Sequence, residues 1–211
     1  MNFDAVMAIV TGFEGDTEFM YRDTSDAGLI TIGVGHQLGP PSAPLPEIFQ
    51  LKFVHDTHGA ATRQDVQADI DALAKLPHGA HYRAHYYKNP PTIVGSGVKL
   101  TLPTAERRHL LRQDLKYFVD RLRMEFYRFD SFPEPAQEAL LDMAFNLGFE
   151  RAKHPKHPGL WGYPILLRAV RERRWTDAAA QCHRRGPSEG RNHWTELQFK
   201  EAARVDRSVI R

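Results

Sequence analysis

Two carboxyls and a hydroxyl near the start of the chain have the types and spacing to do chemistry. They are Glu14 in Phe13-Glu14-Gly15, Asp23 in Tyr21-Arg22-Asp23-Thr24, and Thr31 in Thr31-Ile32-Gly33-Val34-Gly35-His36. One carboxyl to protonate a leaving group and one to hold a water is the minimum equipment for hydrolysing a glycosidic bond. Glu14 falls where a helical pattern ends, between Phe13 and Gly15, and partial desolvation there favours the protonated form of a general acid. Asp23 falls in a polar turn rich in backbone donors, which favours the ionised form. Thr31 lies on a short β run, from which its hydroxyl would help hold a water. Taken singly, each has an ordinary reading as a surface acid, a turn former or a β former.

The elements that must position these residues are legible in the hydrophobic pattern. Phe3, Val6, Met7, Ile9, Val10 and Phe13 recur at helical spacing over 2–13. Residues 19–34 read as a hairpin with its turn at Asp23–Gly28. Gly39-Pro40-Pro41 through Pro46 signals a loop, 65–76 reads as a helix, and Asn89-Pro90-Pro91 with Gly95-Ser96-Gly97 closes the region. Residues 37–99 are therefore expected to be an insertion with one or two helices. From Thr101 onward Leu110, Leu111, Leu115, Phe118, Val119, Leu122 and Phe126 form the apolar stripe of a long helix. Ser131 is placed to cap the next helix, which Pro133 and Pro135 permit only near its start. That helix runs through 139–145 to Gly148 and, apolar on most sides, is the expected buried central helix. A loop at 153–159 and helices at about 163–173, 175–184 and 195–209 complete an α+β, mainly α, single domain over 1–211.

Composition bounds the rest. The chain is 211 residues long, 42% hydrophobic and 26% charged, which is globular and argues against disorder. A net charge of +2 and a pI near 8.7 suit an anionic polymer as partner without requiring one. Cys182 is the only cysteine, so no internal disulfide forms and folding is compatible with a reducing cytoplasm. The first ten residues lack a basic region and Asp4 interrupts their apolar run, unlike a standard signal peptide. No stretch approaches the ~20 apolar residues of a membrane span. The expectation is synthesis in the cytoplasm, no membrane insertion, and export by other means if the substrate lies outside.

The spacing of the three residues resembles that of the phage T4-type lysozymes, glycoside hydrolase family 24. Their motif runs Glu, eight residues, Asp, five residues, Thr, then Ile-Gly-x-Gly-His. Glu14 and Asp23 keep the eight-residue gap, Tyr21-Arg22-Asp23-Thr24 looks like the family's Tyr-Lys-Asp-Thr, and Thr31 to His36 matches its closing block. Leu100-Thr101 through Ala105 to Gln113-Asp114-Leu115 looks like the family's long connecting helix. Phe129-Asp130-Ser131 followed by Ala139 through Gly148 looks like its central helix, and Arg174-Trp175 with Ala178-Ala179 like a later helix start. About two thirds of the chain is covered.

The resemblance implies a lysozyme-like fold: a small β-hairpin lobe, a helical lobe over 100–211, and a cleft between them. It implies an N-acetylmuramidase in which Glu14 protonates the oxygen between N-acetylmuramic acid and N-acetylglucosamine. Asp23, assisted by Thr31, would orient and deprotonate water on the opposite face, in the inverting scheme whose carboxyls stand ~6.5–9.5 Å apart. His36 would support the glycine turn or the Asp23 network. Phe145 and Asn146 match cleft-facing positions, Phe145 being equally readable as core. No cofactor or metal is implied. The implied partners are peptidoglycan glycan strands and either a phage holin or a secretion apparatus with an immunity protein. The enzyme would act as a monomer in the periplasm or cell wall, with no nucleic acid involved.

Three departures separate the chain from that pattern. Seven residues, not five, lie between Asp23 and Thr31, so Asp26 competes with Asp23 for the basic role. An ungapped alignment puts Glu201 where the family has the arginine that pairs with its catalytic glutamate, leaving Arg191 or Arg204 as candidates. The long 37–99 segment is similar in length to enlarged lobes of pesticin-like toxins and lysozyme-like effectors. A lytic transglycosylase, which also needs one glutamate, and a non-catalytic peptidoglycan-binding module are the other readings.

Other signals have plainer explanations. His81 and His85 are four apart, but Tyr82 stands where a zinc protease motif needs glutamate. His55, His58, His154 and His157 fall in loop-like sequence and read as scattered exposed side chains. The basic runs Arg107-Arg108, Arg171–Arg174 and His183-Arg184-Arg185 read mostly as solvated helix faces, since no nucleic-acid motif accompanies them. Cys182 reads as a small buried apolar residue.

Overall fold

A computed structural model describes residues 1–23, 28–55, 59–76, 100–149 and 159–209. Thr24, Asp26, His58, His81, His85, His154, His157, the 89–97 closure and most of the 153–159 loop lie outside the described residues. The chain divides into two compact units, residues 10–113 and residues 1–9 with 114–211. Helices form most of the described structure, with small antiparallel sheets.

Helix α1 spans Phe3–Glu14 and buries Val6, Met7 and Val10, three of the positions expected from its spacing. It stops at Glu14 because Gly15 turns left-handed at φ 81° while its N–H still reaches Thr11 O at 2.8 Å. Residues 10–113 then carry two three-stranded sheets. In the first, β1 (Thr17–Arg22), β2 (Ile30–Gly33) and β3 (His36–Gln37) pair antiparallel in that order. The register shifts between Thr17 and Tyr21, so Thr17 faces Gly33 while Tyr21 faces Thr31. The β2–β3 turn uses Gly33 and Gly35 at φ 61° and 80°, values that a side chain rarely adopts.

The second sheet was not anticipated. β4 (Val54–His55) lies between β5 (Gly59–Ala60) and β6 (Leu100–Thr101). Two-residue strands are too short for alternation to register, so residues 37–99 read as helix and loop only. Helix α2 (Arg63–Ala74) is the helix expected there, started by a capping box between Thr62 and Asp65. Met20, Ile30, Ile32, Leu38, Ile48, Phe53, Val66, Ile70, Leu73, Leu100, Leu102 and Leu110 form the core of this unit. His55, read as exposed, has a side chain only 8% exposed and lies 3.1 Å from Asp65 Oδ2. The capping carboxylate that holds α2 thus holds His55 too.

Helix α3 (Thr104–Glu125) begins in this unit and continues into the other. There α4 (Glu134–Leu147) is the expected central helix, burying Ala136, Ala139, Leu140, Leu141, Met143 and Ala144. Gly148 closes it at φ 69°. Ser131 does not cap it: the helix starts three residues later, after Pro133, and the Ser131 hydroxyl donates to Arg128 O at 2.8 Å. Helices α5 (Pro164–Arg171), α6 (Trp175–Gln181) and α7 (Glu189–Val209) follow, with α4 and α6 both packed on α7. Helix α7 starts six residues earlier than its apolar pattern suggested, because the Ser188 hydroxyl accepts the Arg191 N–H at 3.2 Å and caps it. Between α5 and α6, Arg173 takes the left-handed conformation at φ 54°. Its guanidinium is held by two bonds to Asp206, at 2.7 and 3.1 Å, and lies over Phe132 and Trp175. Those contacts offset the backbone strain.

Candidate active site

Glu14, Asp23, Thr31 and His36 all belong to the 10–113 unit. Glu14 is the last residue of α1 and is half-buried. Asp23 directly follows β1 and is also half-buried, while Thr31 sits on β2 at 3% exposure.

Asp23 and Thr31 meet at one residue. The Asp23 N–H donates to Leu29 O at 2.8 Å, and the Leu29 N–H donates back to Asp23 Oδ1 at 2.9 Å. The Thr31 hydroxyl donates to the same Leu29 carbonyl at 3.3 Å. Since Tyr21 faces Thr31 and Arg22 faces Ile30, strand alternation sets Asp23, Tyr21 and Thr31 on one face of the hairpin. A backbone N–H aimed at the carboxylate fixes one of its oxygens.

Arg22 braces this hairpin from the opposite face. It is 8% exposed; its Nε donates to Gly28 O at 3.1 Å and its Nη1 to Leu76 O, just past α2, at 2.8 Å. The guanidinium therefore ties the base of the Asp23 turn to the neighbouring helix. The sequence marked Arg22 only as a motif position. His36 pairs with Ile32 through β3, and its Nε2 lies 3.5 Å from Glu47 Oε1.

Phe145 and Asn146, at the end of α4, belong to the other unit and are half-buried. Phe145 meets Phe118 edge to face at 5.6 Å between centroids, and Asn146 Oδ1 accepts from Arg184 Nη1 at 3.4 Å. That arginine opens a network missed in the sequence. Asp142, fully buried, accepts from Arg184 Nη2 at 2.8 Å and from Arg191 Nε at 2.9 Å. Arg184 also donates to Thr195 Oγ1 at 2.7 Å, and Asn192 closes on the Arg184 backbone at 3.1 and 2.9 Å. Burial pulls the Arg184 guanidinium below its ordinary range, against the opposing pull of Asp142. Of the two arginines weighed as partners for Glu14, Arg191 is buried in this network. Arg204 is exposed on α7 and bonded to Glu201.

The basic runs are accordingly not all solvated faces. Arg184 has a side chain 0% exposed and Arg107 one 10% exposed, each paired with an acid distant in sequence. Cys182 is buried as expected. Among the described residues no group of three His, Cys, Asp or Glu side chains could hold a metal ion, and no helix is long and apolar enough to cross a membrane. No protein-family model matches the chain, and no curated protein matches it.

Proposed function

We propose that this chain is a peptidoglycan hydrolase, an N-acetylmuramidase of the lysozyme-like kind, with Glu14 as general acid and Asp23 as the base that orients water with Thr31. The observation that carries this reading is the Leu29 junction, which gives Asp23 and Thr31 a shared anchor on one hairpin face, one glycine turn and one strand after Glu14. A backbone N–H on one oxygen fixes the carboxylate in place to orient a water, and an adjacent hydroxyl supplies a second hydrogen-bonding partner for that water. The half-buried Glu14, on a separate element, can serve the leaving-group oxygen. The family resemblance of the Glu-x8-Asp spacing supplies the substrate: the β-1,4 bond between N-acetylmuramic acid and N-acetylglucosamine.

Glu14→Gln keeps size and hydrogen bonding but cannot donate the proton. It should lower lysis of purified sacculi by about 10²–10⁴-fold, with circular dichroism and thermal midpoint unchanged. Near wild-type lysis by the variant would sink the assignment. Mass spectrometry of the wild-type digest should show reducing ends; 1,6-anhydromuramic ends would indicate a transglycosylase, and no new ends at any pH a binding module.

A further inference from the structure

We infer that Arg107 is a positioning residue for Glu14, acting through Asp16; the inference rests on the hydrolase reading of Glu14. Arg107 lies in the first turn of α3, and its side chain is only 10% exposed. Its Nε donates to Asp16 Oδ1 at 2.7 Å, its Nη1 to the Leu102 carbonyl, and its Nη2 to Thr104 Oγ1 at 3.3 Å. Its methylene stem covers Gly33: a Cβ added there would stand 3.7 Å from Arg107 Cβ and 3.9 Å from Cγ and Cδ. One side chain therefore holds the segment two residues after Glu14 and the strand end two residues after Thr31.

The link from Glu14 to Asp16 is the reason such a clamp matters. Gly15 sits at φ 81° with nothing within 4 Å of where a Cβ would be, so packing at that position does not hold the connection. Glycine has the largest backbone freedom of any residue. The Gly15 N–H on Thr11 O ties this turn back to α1, and the Asp16–Arg107 pair ties it forward to α3. Thr17, the next residue, faces Gly33 across the sheet, so the clamp grips two paired strands at once. The Leu102 carbonyl is held as well, and the Leu102 N–H bonds Glu18 O at 2.6 Å, which closes a ring of contacts around the start of β1. An acid whose backbone anchor loosens by about 1 Å loses on the order of 10²-fold in rate.

The test uses the full chain with Arg107→Ala, Arg107→Lys, Asp16→Asn and the double variant Arg107→Ala/Asp16→Asn. Arg107→Ala and Asp16→Asn should each lower kcat on purified sacculi about 10- to 100-fold, with KM changed by less than about twofold. Arg107→Lys should recover part of the loss. The double variant should be no worse than the poorer single, since both remove one interaction. Amide exchange should quicken at Gly15–Thr17 and Gly33 while α7 stays protected. Asp16→Asn preserves volume and keeps the test valid if Arg107→Ala does not fold. Unchanged kcat, or unchanged exchange at Gly15–Thr17, overturns the clamp. A wild-type protein that releases no reducing ends at any pH overturns the hydrolase reading instead, and the catalytic part of this inference with it.

Discussion

Leu29 carries no side-chain chemistry, yet its two backbone groups bond Asp23 and Thr31 together. This is how a hairpin converts residues eight apart into neighbours. Other single residues make sharper demands. Asp69 on α2 is buried, and desolvation pushes its carboxyl up to about 7. The folded state then keeps a proton that the unfolded chain releases above about pH 4, so stability is full below that pH and falls as pH rises toward 7. At roughly 1.4 kcal/mol per unit, the whole window is worth about 4 kcal/mol. Urea unfolding should show wild type less stable at pH 8 than at pH 5, and Asp69→Asn should flatten that dependence. Burial likewise pushes the Cys182 thiol up to about 11, and it donates to Ala179 O at 3.2 Å. A thiol reagent at pH 8 should leave the native protein unlabelled and react only on unfolding.

Between elements, the Asp142 network fastens α4 to the start of α7 and to Arg184, three residues past the end of α6. Two guanidinia share one carboxylate in a buried site, so the carboxylate is the group that cannot be spared. Asp142→Asn leaves both cations without a compensating charge and should cost about 3–5 kcal/mol. Chemical denaturation measures this directly. A loss under about 1 kcal/mol would mean that water reaches the site. Elements also explain what the sequence showed and what it hid. Helices α1, α3 and α4 were legible because apolar residues recur at helical spacing over three turns or more. The β4–β6 sheet was not, because its strands are two residues long and β6 joins from some 45 residues away. The start of α7 was hidden because its first turn, Glu189-Gly190-Arg191-Asn192, has no apolar residue and depends on the Ser188 cap.

At the largest scale, the described residues form two cores, one centred on Ile32, Phe53, Ile70 and Leu100 and one around α4 and α7. Both α1 and α3 are continuous helices that contribute residues to each unit. Unfolding of one unit would break helices that the other also uses, so a single cooperative transition is expected. Asp69→Asn and Asp142→Asn fall in different units, and their effects on that transition should add to within about 0.5 kcal/mol. Two separable transitions in urea, each shifted by one substitution alone, would show instead that the units unfold independently.

The candidate acid, base and hydroxyl, the α+β class and the long helices were readable because they rest on local information: residue type, spacing and periodicity over a few turns. What needed the folded chain were pairings between distant residues. Arg107 with Asp16, Arg184 and Arg191 with Asp142, and Arg22 with Leu76 join positions 91, 42, 49 and 54 residues apart. In the sequence Arg107 and Arg184 are members of basic runs, Arg22 is a motif position and Arg191 is one of two arginines weighed for Glu14. The worth of each guanidinium appears only when burial removes water and leaves a few fixed oxygens to satisfy it.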